Sequence, residues 1–180
     1  MALKVEYQWI DSHSGLAADA VTAAEIGIYV GGNPLTVTDD TRTRTTRDTI
    51  RVSGYRLASW IVDNWWRLRY EVEHDAMDWR LAHEMPAAGG GFVWPPISIH
   101  GDADTVRWVL RSSPDDLVRP VQHRWSRDVE IAGTEHEAGM NQLVAAVMDR
   151  LHEYSQNPDV ADAYQALSSV WQELQEERAD

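Results

Sequence analysis

The chain has 180 residues, a net charge of −13, nine tryptophans and no cysteine. The absence of cysteine excludes disulfides, thiolate zinc sites, iron–sulfur clusters and a cysteine nucleophile. The acidic balance argues against a general nucleic-acid binder, because phosphates repel an acidic surface. No run approaches the roughly 18 apolar residues of a membrane span, and MALKVEYQW has no signal-peptide apolar core. The expectation is one cytoplasmic domain over residues 1–180, a sheet-rich body (1–132) followed by an acidic helical pair (133–180).

Val5, Tyr7 and Trp9 alternate with polar residues and predict a first strand. Residues 11–24 are small and polar, a loop or weak helical turn. Residues 26–30 read as a strand, Gly31-Gly32-Asn33-Pro34 as a turn and residues 35–38 as the return strand of a hairpin. DDTRTRTTRD, residues 39–48, reads as an exposed loop, and Ile50 with Val52 as a third strand.

Ser53 or Gly54 can start a helix. Leu57, Trp60, Ile61, Trp65 and Leu68 then recur at three- and four-residue spacing, one apolar stripe. Five of the nine tryptophans fall within residues 60–94. One buried indole removes roughly 150–250 Å² from water, so this cluster is expected to fix where the core lies. Residues 69–73 read as a short half-buried strand and 77–85 as a second helix stopped by Pro86. Residues 87–91 read as a flexible glycine loop.

Ile97 and Ile99 predict a strand, His100-Gly101-Asp102 a turn, and residues 105–110 its hairpin return. Residues 121–131 read as interrupted strand. Thr134 with Glu137 forms a capping-box pattern. Met140, Leu143, Val144, Val147, Leu151 and Tyr154 make one helical stripe. Asn157-Pro158 opens the next helix, with Val160, Ala163, Tyr164, Leu167, Val170, Trp171 and Leu174 on its stripe. The expected fold is α+β: a mainly antiparallel sheet, a central tryptophan-rich helix and two C-terminal amphipathic helices packed as an antiparallel pair.

Charge is uneven along the chain. Residues 128–180 carry twelve acidic and two basic side chains, while residues 1–127 carry seventeen and fourteen. Arg42, Arg44, Arg47, Arg51 and Arg56 lie among threonines. A solvated loop explains them, and a contact for phosphate or an acidic protein surface is the alternative, since the guanidinium fork suits both. Trp66 sits beside the helical stripe and could complete such a contact by stacking. One or two tryptophans left exposed would mark a partner site.

Gly89-Gly90-Gly91 is neither a phosphate-binding loop nor a dinucleotide fingerprint, because neither spacing follows. It suits close approach of a ligand or simply a wide turn. Asp78, His83 and Glu84, with His74 nearby, come nearest to metal-ligand chemistry. A zinc-peptidase helix needs two histidines four apart, and Met85, Pro86 and Ala87 follow Glu84 instead. His100 with Asp102 and Asp104 fits hairpin-turn chemistry. If an enzyme of unfamiliar type (hydrolase or nuclease-like) is present, Asp78, His83, Glu84 and His100 would be its polar site beside the glycine loop. No catalytic residue, metal or cofactor is expected from any motif.

The strings NWWRLRYE, DWRLAHEM and GGGFVWP, with LSSVWQELQEERAD at the end, resemble the N-terminal region of a group of bacterial proteins. In longer members of that group a segment similar to ImmA/IrrE-type zinc peptidases follows. The resemblance covers most of residues 45–180. The peptidase signature itself does not occur here, so no catalytic residue carries over. What the resemblance implies is an accessory or sensing domain in a bacterial stress or defence setting. The expected function is a non-catalytic recognition module. Its partner is expected to be another protein, with an anionic ligand or nucleic acid held only through a local arginine patch, and no membrane. A subunit of a larger assembly, docking through the acidic helices, is the further alternative.

Overall fold

The alternating β1 (Leu3–Trp9) and the almost wholly apolar β2 (Ala23–Val30) make the first antiparallel pair of the computed structural model, with Leu3 opposite Val30 and Trp9 opposite Ala24. The structure describes residues 2–12, 16–40, 43–70, 97–102, 104–110, 121–123 and 127–178. Of the loop or weak helical turn expected before β2, the helical alternative forms, as the short helix α1 (Ala17–Val21).

The other edge of β2 is covered by two separate pieces. β3 (Asn33–Pro34) pairs with Tyr29 and Val30, and β6 (Ile50–Ser53) pairs with residues 23–26. The return strand expected at 35–38 is therefore only two residues long and begins earlier. Gly31 and Gly32 both have positive φ, which turns the chain tightly at that point. Leu35 N–H still donates to the Ile28 carbonyl at 2.7 Å; beyond it the chain leaves the ladder, and the buried Thr36 hydroxyl fills the gap between β3 and β6. It accepts from Ile28 N–H at 3.1 Å and donates to the Asp48 carbonyl at 2.7 Å.

Residues 39–48 are not a plain loop. β4 (Thr38–Asp40) and β5 (Thr45–Arg47) pair with each other, and β4 also pairs with β9 (Val121–His123). Threonine's branched side chain suits a strand, and the Thr46 hydroxyl donates to its cross-strand partner Asp39 at 2.5 Å.

The tryptophan helix begins as expected: the Ser53 hydroxyl accepts from Arg56 N–H, capping α2 (Gly54–Asp63). It does not run through to Leu68. Asn64 donates both its side-chain amide and its backbone N–H to the Trp60 carbonyl and ends the helix. α3 (Trp65–Tyr70) follows at once, so Arg69 and Tyr70 are helical rather than part of a strand. The second helix and glycine loop expected within 71–91 lie outside the described residues.

A third sheet orders β7 (Ile97–Asp102), β8 (Thr105–Leu110) and β10 (Arg127–Ala132) as β10-β8-β7. His100, Gly101 and Asp102 belong to β7, pairing with Arg107, Val106 and Thr105, so the turn falls after them. The interrupted strand of 121–131 divides between two sheets, β9 in one and β10 in the other.

α4 (Gly133–Glu153) and α5 (Pro158–Glu177) form the helical pair. The expected capping box is not formed: Ala132 is the N-cap, with no side-chain hydrogen bond. Gly133 N–H instead donates to the Asp104 carbonyl, tying the helix to the β7–β8 turn. Asn157 caps α5 as expected, accepting from Asp159 N–H at 3.0 Å, with Pro158 in the first turn. Met140, Leu143, Val144, Val147 and Leu151 of α4 meet Val160, Ala163, Leu167 and Leu174 of α5 in a core shared with β1, β2, α2 and α3. Burial of each such aliphatic side chain is worth about 1.5–3 kcal/mol. Tyr154 and Val170, expected on these buried stripes, are exposed.

The tryptophans sort by depth. Trp65 and Trp108 are buried; Trp9, Trp60 and Trp171 are partly buried against the core; Trp66 is 38% exposed. Trp65 meets Trp171 edge-on at 5.2 Å, with the Arg178 guanidinium over its ring at 5.1 Å. Arg178 also donates to Glu137 at 3.1 Å, so the end of α5 is clamped onto both α3 and α4.

Candidate functional site

The arginine run expected to form one patch is divided by the fold. Arg42 lies outside the described residues. Arg44 is exposed in the β4–β5 turn with φ 55° and makes no hydrogen bond among the described residues. Arg47 and Arg51 both turn back to Glu25, at 3.2 and 3.0 Å, because β6 sets Arg51 directly across from Glu25 on β2.

Arg56 is part of a buried polar knot. Its Nε and Nη2 donate to both oxygens of Asp19, at 2.8–3.1 Å, and Ser53 Oγ donates to the same carboxylate at 2.6 Å. The buried Thr22 hydroxyl donates to the Ala18 carbonyl at 2.7 Å and accepts from Tyr55 N–H at 2.9 Å. Gly54 closes the knot. A Cβ there would come within 2.9 Å of the Thr22 carbonyl and 3.1 Å of Val147. These groups hold α1 to the start of α2, and Arg56 meets both oxygens of the buried Asp19, so Arg56 is a structural residue.

Trp66 donates its indole N–H to Glu177 at 3.1 Å, across to the end of α5. It is half spent on the fold, with one face to solvent. Gly89, Gly90, Gly91, Asp78, His83 and Glu84 lie outside the described residues. His100 is placed only as a backbone position in β7. Among the described residues, no group of three or more histidine, aspartate or glutamate side chains could hold a metal ion.

A surface cluster that the sequence reading did not single out is better built. Tyr7 and Trp9 share one face of β1 by strand alternation, and their rings lie 5.1 Å apart, tilted by 49°. Arg150, on the last turn of α4, places its guanidinium 5.7 Å from the Trp9 ring and 4.4 Å from the Tyr154 ring. Its Nε donates to the Val21 carbonyl and its Nη1 to Glu153. The result is a ladder, Tyr7–Trp9–Arg150–Tyr154, whose middle is held against the core. Its two ends stand out, Tyr7 and Tyr154 each 39% exposed. The available signals were the Tyr7/Trp9 alternation and a lone arginine in an acidic helix. Nothing local joins them, since Trp9 and Arg150 are 141 residues apart in sequence.

On the outer face of the first sheet, the Tyr29 phenol donates to Asp48 at 2.9 Å. Burial, that bond and the negative charges of Asp48 and Glu6 push it up from its ordinary 10 to about 12.

No known protein family, curated protein or solved structure matches this chain.

Proposed function

We propose that this protein is a non-catalytic recognition module that holds another protein, as an accessory subunit or sensing domain. The observation that supports this reading is the Tyr7–Trp9–Arg150–Tyr154 ladder. Aromatic and arginine side chains dominate interface energetics, and a cluster already ordered against the core loses little conformational entropy on binding. Two tyrosine rings so anchored and left to solvent have the composition and preorganisation of a hot spot.

The arginine run contributes less than its sequence suggests. Arg56 is bound to Asp19, and Arg47 and Arg51 share the one carboxylate of Glu25, so only part of the run's charge is left for a phosphate or nucleic-acid ligand. The acidic helical pair favours a basic partner and speeds its encounter. The likeness of residues 45–180 to regions preceding ImmA/IrrE-type segments is what suggests a stress or defence setting.

The test is capture of binding partners, including the products of neighbouring genes, by wild-type protein and by Tyr7→Ala/Tyr154→Ala. The expected result is a loss of about 2 kcal/mol in affinity, roughly thirtyfold, in the double variant. Undiminished capture by that variant, or substrate turnover by the isolated protein in a hydrolase and nuclease screen, would overturn the reading.

A further inference from the structure

β1 has one pairing neighbour among the described residues, β2. The bonds at its two ends fix which backbone groups face that neighbour. Gly31 N–H donates to the Ala2 carbonyl at 3.1 Å and Ile10 N–H to the Ala23 carbonyl at 2.9 Å. Both continue the β1–β2 register. The even-numbered residues of β1 therefore exchange hydrogen bonds with β2, and the N–H and C=O groups of the odd-numbered residues point away from it; Leu3 and Val5 are buried, so the open part of this edge is at Tyr7 and Trp9.

Such an edge is a template for another strand, and proteins ordinarily blunt it with proline, a bulge or unpaired charge. β1 contains no proline, its ladder is unbroken from Leu3 to Trp9, and its lysine, Lys4, is already paired with Glu6. The exposed half of this edge runs beside the Tyr7 and Trp9 rings. At the end where Arg150 covers Trp9, α4 carries exposed Asp149 and Glu153.

We infer that the β1 edge takes an extended, basic peptide segment of another protein as an added antiparallel or parallel strand. Its backbone bonds to Tyr7 and Trp9, an apolar side chain lies on the Tyr7 ring, and its lysines or arginines face Asp149 and Glu153. Charge selects this occupant over a second copy, because two chains of −13 repel. The inference rests on the recognition reading and names the partner's chemistry.

Two synthetic decapeptides test it, one alternating lysine with valine and tyrosine, the other with glutamate in place of lysine. The lysine peptide is expected to slow amide exchange at Tyr7 and Trp9 by tenfold or more (an order-of-magnitude figure) and to bind at least about tenfold more tightly than its glutamate counterpart. Tyr7→Ala removes the ring alone. Tyr7→Pro also removes the outward N–H, which an edge strand tolerates, and should bind about fivefold more weakly than Tyr7→Ala. Equal binding by the two variants, equal binding of both peptides, protection at other amides, or a concentration-dependent dimer that protects β1 in the absence of peptide would overturn the inference. If it fails while Tyr7→Ala/Tyr154→Ala still loses partner capture, the recognition reading stands without the edge.

Discussion

Two arginine–carboxylate sites a few residues apart in sequence show how differently the same chemistry can serve. Arg56 meets Asp19 in the knot between α1 and α2, where the carboxylate is only 4% exposed and accepts from Ser53 as well. Arg47 and Arg51 meet Glu25 on the open face of the first sheet, with both guanidinium groups about half exposed. In the knot the carboxylate has no water to fall back on, so its partners are obligatory. On the sheet face, water replaces either partner at little cost. Burial, not the number of ion pairs, decides which site the fold depends on.

Arg56→Ala is the sharpest way to break that contrast. It leaves a buried carboxylate short of three hydrogen bonds and is expected to cost about 3 kcal/mol in chemical denaturation. A loss under about 1 kcal/mol would mean that the knot is as dispensable as the surface pairs. Gly54→Ala comes next, at about 2 kcal/mol, because the Thr22 carbonyl is backbone and cannot move aside as a flexible side chain would. Ser53→Ala removes both the cap of α2 and a donor to Asp19, for about 1–2 kcal/mol. Glu25→Ala closes the series at about 0.5 kcal/mol or less, and 1 M salt should erase most of even that.

The sheet face also carries the Tyr29 phenol, whose pKa is raised by burial and by Asp48. Tyr29 keeps its proton more firmly in the folded protein than in the unfolded chain, so its contribution is complete below pH 10 and is lost as the pH rises toward 12. Absorbance at 295 nm should show one tyrosine ionising last, and stability falling across that window. Asp48→Asn should bring the midpoint down only part of the way, since burial is the larger cause and remains. A full return to 10 would assign the shift to Asp48 alone.

Much of the architecture could be read before any contact was known. Alternation marked β1, β6 and β8, and a short apolar run marked β2. The 3.6-residue period marked α2, α4 and α5, and Ser53 and Asn157 were identifiable as caps from residue type and position. The failures share a cause. Residues 39–48 look like a loop because they hold no apolar residue, yet β4 gains a ladder on each side from β5 and β9, the latter more than eighty residues away. Thr134 and Glu137 have capping-box spacing, but Arg178 takes Glu137 and Asp104 takes the amide of Gly133. The surface ladder was illegible for the same reason: Tyr7 and Arg150 carry no shared local pattern.

Local periodicity, turn residues and composition thus determined the types of the strongly patterned elements, the α+β class and the acidity of the helical pair, because those follow from how a short segment hides its apolar side chains. Which carboxylate meets which guanidinium was settled by tertiary structure alone. Glu25 reaches Arg51 because β2 and β6 align in one register, and Asp19 reaches Arg56 because α1 folds against the start of α2. Electrostatic partners are chosen by distance in space, and over separations of 26 to 37 residues only the packed chain sets that distance.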